Sequence, residues 1–188
     1  FDPLILLHRD CTMISSEGDF SPPWITSTDF FQLDGVLASF EGEVTADYIG
    51  GKSIFYSAPI FREGQIDEVL IGVRSKENMQ AMISSKNFDG KMLSCITDSS
   101  GQVVISPTDL KPFLRLDNIF RENKDRNVVE DIHQMQENMR NNRSGILKFT
   151  AVTKEELILS YNYLGVNEWF LLTLIRADFL SSGAELYI

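Results

Sequence analysis

The sequence predicts an α+β chain made of two modules, each an antiparallel sheet with helices laid on one face. Three observations predict it. Lys52–Ile83, KSIFYSAPIFREGQIDEVLIGVRSKENMQAMI, runs strand, turn, strand, helix. A similar long hairpin recurs at Leu157–Ile175, LILSYNYLGVNEWFLLTLI. The chain also follows one plan twice: hairpin, helical segment, long hairpin, helix. Arg9–Ile14 aligns with Ser99–Val104, Phe55–Ile60 with Leu159–Leu164, and Val69–Val73 with Phe170–Leu174. Identity between the halves is low, so the repeat is one of pattern.

Leu4–Leu7 is a short apolar strand, His8–Cys11 a turn, and Thr12–Ser15 the returning strand. Gly18 and Pro22-Pro23 break the chain into a loop. Thr26–Asp29 offers helix caps before Phe30-Phe31, and Gly35 ends or bends that helix. Val36–Phe40 is apolar, and Gly42–Tyr48 has the character of an edge strand. Ser53–Phe61 is rich in aromatic and β-branched residues. Gly64 supplies the positive φ its turn needs. Val69–Val73 is a continuous apolar run, predicting a central strand buried on both faces. Ser75 stands where an N-cap belongs, and Met79, Met82 and Ile83 follow at helical spacing.

Asn87–Lys91 is a polar connector, which places the domain boundary between residues 87 and 88. Met92–Thr97, Asp98–Gly101 and Val103–Ile105 make a tight hairpin. Asn127 with Glu130 three residues on has the form of a capping box. Val128, Val129, Ile132, Met135 and Met139 then form one face of an amphipathic helix. Ile146–Ala151, Ile158–Tyr163 and Trp169–Ile175 are strands, and residues 179–188 begin an exit helix. The expected domains are therefore 1–87 and 88–178, followed by that helix.

With 188 residues, 43% of them hydrophobic and 23% charged, the chain affords a real core. The net charge of −10 and the lack of a Lys/Arg cluster exclude a phosphate-backbone reader. No apolar run approaches the roughly 20 residues of a membrane span. Cys11 and Cys95 have no metal spacing; the expectation is two small, partly buried hydrophobes, with one disulfide between them the alternative. The two histidines, His8 and His133, lie in different halves and are expected to be structural. No nucleophile-hydrolase, phosphate-loop or dinucleotide motif occurs. Asp34, Asp47, Asp67, Asp89 and Asp98 are expected at turns, where Asp is common for backbone reasons. The expectation is no catalytic residue, no metal and no cofactor.

The aromatic set of the first half remains. Trp24, Phe30, Phe31, Tyr48, Phe55 and Tyr56, with Thr28, Ser57 and Arg74 as polar members, are the candidate ligand-binding residues. Arg74 directly follows the Val69–Val73 run, where its guanidinium is suited to a carboxylate or phosphate. Core aromatics beside a surface arginine are the simpler alternative.

FYSAPIFREGQIDEVLIGV, NFDGKMLSCITDSSGQVVIS, SGILKF and LILSYNYLGVNEWFLLTLI occur in that order. Together they resemble the extracytoplasmic double Cache (tandem PAS-like) sensor domain of bacterial transmembrane receptors, which include diguanylate cyclases, sensor histidine kinases and chemoreceptors. The resemblance implies a membrane-distal module that binds a small ligand, a proximal module that often does not, and a homodimer in the full-length receptor. It also implies a long N-terminal helix from the membrane, which this sequence lacks, so membrane contact runs only through flanking helices. Amino-acid-sensing members carry an Arg two residues before an aromatic pair and an Asp just after the long hairpin. Phe30-Phe31 matches the pair, Thr28 occupies the Arg position, and Arg74 reverses the charge of the Asp. The expected ligand is therefore a different small molecule, an anion or carboxylate held by Arg74 with Tyr56, Ser57 and Thr28. A structural or dimerisation module is the alternative, and a small enzyme ranks last.

Overall fold

The structure, a computed structural model, describes residues 2–16, 27–49, 53–84, 86, 92–107, 126–150 and 154–179. The chain divides into two compact units, Phe1–Met79 and Gln80–Ile188.

In the first unit the strands are β1 (Asp2–His8), β2 (Met13–Ser15), β3 (Thr45–Ile49), β4 (Ser53–Arg62) and β5 (Gln65–Ser75). They pair antiparallel in the order β2-β1-β5-β4-β3. Glu63 (φ 51°) and Gly64 (φ 81°) close the β4–β5 hairpin as two consecutive left-handed residues. That is the type I′ geometry whose twist matches the strands.

The two-residue period of the sheet sends Ile5, Leu7, Phe55, Val69, Ile71 and Val73 to one face. Two short helices cover it: α1 (Ser27–Phe30) and α2 (Asp34–Phe40), which contribute Phe30, Val36 and Phe40. The opposite face is more open, with Leu4 and Leu70 about two-fifths exposed. The Val69–Val73 run is therefore not buried on both faces. Its central position in the strand order accounts for pairing at both edges; among the described residues α1 and α2 cover one side, while on the other Ile54 is buried and Leu70 stays open.

Gly35 lies inside α2, so it neither ends nor bends the Phe30 helix; Phe31, Gln32 and Leu33 separate the two. At its far end α2 closes with a Schellman motif: Gly42 N donates to Ser39 O and Glu43 N to Ala38 O, with Gly42 at φ 111°. The helix expected after Ser75 is α3 (Lys76–Met82). Ser75 Oγ accepts a hydrogen bond from Asn78 N at 3.2 Å, the contact an N-cap serine makes.

The second unit repeats the plan. Its strands are β6 (Met92–Thr97), β7 (Val103–Ile105), β8 (Gly145–Thr150), β9 (Glu156–Tyr163) and β10 (Phe170–Arg176), in the order β7-β6-β10-β9-β8. Replacing each strand number of the first sheet by its counterpart gives this order, as the sequence alignment of the halves predicts. The covering helix is α4 (Arg126–Arg140). It starts one residue before Asn127, so the capping box is not where the sequence predicts it.

Ile132, Met135 and Met139 make the buried stripe of α4. They pack on Leu147, Phe149, Leu159, Leu172 and Leu174. This helix too ends in a Schellman motif, with Asn142 at φ 53° and Arg143 N donating to Asn138 O. Among the described residues no helix is long and apolar enough to cross a membrane.

Candidate functional site

Beta-strand alternation divides the predicted site between the two faces of the first sheet. Phe55 and Ser57 point under the helices and are fully buried. Phe30 of α1 meets Phe55 edge-on, with ring centroids 5.6 Å apart and planes at 78°. Phe31 stacks on Phe40 at 5.3 Å and 14°, and the Arg9 guanidinium lies over the other partner, 4.8 Å from the Phe40 ring centre. Arg9 also donates to Phe40 O at 3.1 Å, at the last turn of α2. One cation thereby fixes the β1–β2 turn against the end of the helical cover.

Tyr56 and Arg74 belong to the other face. Tyr56 opposes Gly72, Arg74 opposes Ile54, and the two are diagonal neighbours. The Tyr56 hydroxyl is directed at Met79 Sδ, 4.0 Å away. Burial pushes its pKa up, and the Arg74 charge pulls it back. Trp24 lies outside the described residues, as do the side chains of Thr28 and Tyr48. The backbone places Thr28 on α1 and Tyr48 opposite Ile54.

Beside the Phe30–Phe55 pair, under α2, the structure gathers Asp47, Thr45 and Ser39, which are not among the predicted site residues, with the predicted Ser57. Asp47 sits inside β3, not at a turn, directly opposite Phe55. Its Oδ1 accepts a hydrogen bond from Gly35 N at 3.2 Å. The bond supplies the cap that α2 lacks, because its N-cap residue is Leu33 and makes no side-chain bond. Thr45, two residues back and so on the same face, donates to Gly35 O at 2.8 Å. Thr45 Oγ1 and Ser57 Oγ are 2.9 Å apart. With the Thr45 proton committed to Gly35, Ser57 is the donor of that bond.

Two atoms of this group have no partner. Asp47 Oδ2 and Ser39 Oγ are shielded from solvent and unbonded. Ser39 lies one turn after Gly35 on α2 and is fully buried. Burial pushes the Asp47 carboxyl above the usual carboxylate range, and Asp34 adds to the rise, while the Gly35 and Val36 amides oppose it. Gly35 is required by this approach: an added Cβ would stand 2.5 Å from Asp47 Oδ2 and 2.6 Å from Thr45 Oγ1. The signal was in the sequence as Thr45-x-Asp47 opposite Ser57, three polar residues of one parity. It needed the pairing register to be seen.

Two other expectations resolve plainly. His8 contacts Glu68 at 3.2 Å through Nδ1, a structural role. Cys95 is buried and free, with its thiol pushed up to about 12, whereas Cys11 is free but exposed, because it forms the β1–β2 turn at φ 68°. Among the described residues no group of three His, Cys, Asp or Glu side chains is arranged to hold a metal ion.

No family model matches the sequence, and no curated protein does. Solved structures do match. The ligand-binding domain of the Pseudomonas fluorescens chemoreceptor CtaA, in complex with L-isoleucine, is similar at 12% identity and TM-score 0.55 over 97% of this chain and 72% of that one. The ligand-binding domain of the Pseudomonas aeruginosa PAO1 amino acid chemoreceptor PctB, with L-Arg, is similar at 15% identity and TM-score 0.52 over 98% of this chain and 70% of that one. An extracellular domain assigned to a histidine kinase, mmHK1S-Z3, has 15% identity and TM-score 0.46; the chain spans 54% of its length, and 79% of this chain is covered. With its two five-stranded antiparallel sheets of one strand order, the chain has the tandem PAS-like, Cache-type fold of receptor ligand-binding domains.

Proposed function

We propose that this chain is the extracytoplasmic sensor domain of a membrane receptor. Its first unit binds a small molecule, and the change passes through the second unit to a cytoplasmic effector: a diguanylate cyclase, a histidine kinase or a chemoreceptor output. The observation that carries this reading is the pair of buried, unbonded polar atoms under α2, Asp47 Oδ2 and Ser39 Oγ, beside the Phe30–Phe55 pair. A buried polar atom without a partner costs on the order of 1–3 kcal/mol. A ligand that donates to Asp47 Oδ2 removes that cost, so the site favours a bound state over the empty one. Apolar walls with a few convergent polar groups are the usual composition of a small-molecule site. The group offers acceptors, which suits a ligand with an ammonium, amide or hydroxyl donor. The chemoreceptor domains of the same fold hold L-isoleucine and L-Arg, both of which carry such a donor.

A second reading places an anion or carboxylate at Arg74 with Tyr56. It is favoured by their adjacency on the opposite face, where both are half-buried. The two readings separate in one experiment, a thermal-shift screen of amines, amino acids, alcohols and carboxylates. A compound at about 100 times its Kd adds roughly 2.7 kcal/mol and moves the midpoint by several degrees. A hit lost in Asp47→Asn and kept in Arg74→Ala supports the site under α2. The reverse pattern supports the anion site. No hit with any compound favours the structural or dimerisation module, for which sedimentation of the chain as a homodimer is the next measurement. The fragment acts in this reading as a binding unit, with any enzyme activity belonging to a cytoplasmic domain of the longer receptor.

A further inference from the structure

We propose that Arg176 is a charge clamp that sets the direction in which the chain leaves the second sheet. Arg176 is the last residue of β10, the strand held between β6 and β9, and pairs with Leu157. Its side chain reaches both ways. Forward, Nε and Nη2 contact Asp178 Oδ1 and Oδ2 at 3.1 and 2.6 Å, a two-point grip on the first turn of the exit segment Ala177–Phe179. Backward, Nη1 lies 3.2 Å from Glu155 Oε1, in the turn between β8 and β9. One planar guanidinium thus joins the end of the central strand, an edge hairpin and the departing chain. The fork geometry fixes angle as well as distance, which an ammonium would not do. The Asp178 carboxyl is held below the usual range, chiefly by the Arg176 hydrogen bond.

Arg176 and Glu155 are about half exposed and Asp178 about two-thirds. A clamp of this kind is weak and screened by salt. Weakness suits a coupling element, because a small free-energy bias then suffices to redistribute two exit geometries. The clamp rests on the sensor reading only for its use; its existence does not depend on any ligand.

The test is hydrogen exchange of the exit segment in the whole chain, followed by mass spectrometry. Arg176→Gln is expected to speed exchange of the 177–179 amides by about 1.5- to 5-fold, within the range that exposed ion pairs support, while amides of β6 and α4 keep their rates. Raising salt is expected to reproduce part of the change in the unsubstituted chain, and Arg176→Lys to restore only part of it. Asp178→Asn tests the same grip from the other side should Arg176→Gln fold poorly. Glu155→Gln is expected to be non-additive with Arg176→Gln, because both remove one contact. Unchanged exchange in both Arg176→Gln and Asp178→Asn, or full additivity with Glu155→Gln, overturns the clamp. Neither result touches the ligand screen, which the clamp variants are expected to pass unchanged.

Discussion

The two units share a strand order but solve the same packing problem differently. In the first, among the described residues, helices of four and seven residues cover a face that includes Thr45, Asp47 and Ser57, with Ser39 buried on the longer helix. In the second, one fifteen-residue helix lays a stripe of Ile132, Met135 and Met139 on an apolar face. Each unit also uses a glycine to admit a polar side chain closely. Gly35 admits Asp47, and Gly145, at the start of β8, admits the Tyr161 hydroxyl. The outcomes differ in satisfaction. Tyr161 accepts a hydrogen bond from Asn138 Nδ2 of α4 at 2.9 Å, whereas Asp47 leaves one carboxylate oxygen unpaired. Thr97 Oγ1 is also buried and unbonded in the second unit, but a neutral hydroxyl is far cheaper to bury than an acid. The difference teaches that the first unit leaves an acid oxygen unpaired under its helices where the second leaves a hydroxyl, which is the contrast the proposed ligand site rests on.

The largest test of that contrast is a pair of core truncations. Phe55→Ala and Phe170→Ala each remove a fully buried ring and are each expected to cost about 3–5 kcal/mol in their own unit. Only Phe55→Ala is expected to abolish small-molecule binding in the thermal-shift screen. Loss of binding in Phe170→Ala alone would reverse the assignment of the units.

Next come the glycines. Gly35→Ala and Gly145→Ala each force a methyl against a polar side chain, at about 1–3 kcal/mol by chemical denaturation. Gly35→Ala displaces Asp47 and Thr45, so its loss of ligand response should exceed its loss of stability. For Gly145→Ala, with Tyr161 as the displaced group, the response is expected to survive in the folded fraction.

Smaller effects sharpen the comparison further. Tyr161→Phe breaks a satisfied bond and is expected to lower stability by about 0.5–1.5 kcal/mol. Ser39→Ala removes a hydroxyl that has no partner and is expected to be neutral or stabilising, which urea titration distinguishes.

The pH dependence is the finest probe. The folded pKa of Asp47 lies above its ordinary value of 3.8, so folding disfavours its ionised form. The resulting penalty is absent below that ordinary value, grows as pH rises towards the folded pKa, and is fully present above it. Asp47→Asn should therefore gain stability over the parent as pH rises from about 3 to 7. Asp178 has the opposite sign: its folded pKa is lowered, so its contribution is present above 3.8 and disappears as pH falls through the folded value. Melting curves across that range separate the two. A parent-minus-variant difference for Asp47 that does not change with pH would show the carboxyl to be solvated in solution.

Much of the architecture was legible in the chain because its signals are local. Glu63-Gly64 between two β-rich runs marks the hairpin, Ser75 marks the start of α3, and the 3-and-4 spacing of Ile132, Met135 and Met139 marks the buried face of α4. The repeat of plan was visible for the same reason, since each half carries the same succession of short-range signals. The site was less legible. The aromatic and polar residues chosen from Ser53–Arg74 are close in sequence, but adjacent strand residues point to opposite faces. Phe55 and Tyr56 therefore cannot share a pocket on one flat sheet face. Composition places Asp47 at a turn because it says nothing about which strand the residue joins.

The sequence by itself determined two antiparallel modules of one plan, the placement of their hairpins, an acidic chain unsuited to nucleic acid, and the apolar residues of each core. Only the tertiary structure decided which face of the first sheet the short helices cover, and hence that Asp47, Thr45 and Ser57 meet the first turn of α2 while Arg74 faces away. The reason is physical. Side-chain direction along a strand is known from its period, but its absolute phase is set by register, and a shift of one residue exchanges the two faces. The contact between Gly35 and Asp47 closes across twelve residues only after β3 has paired with β4.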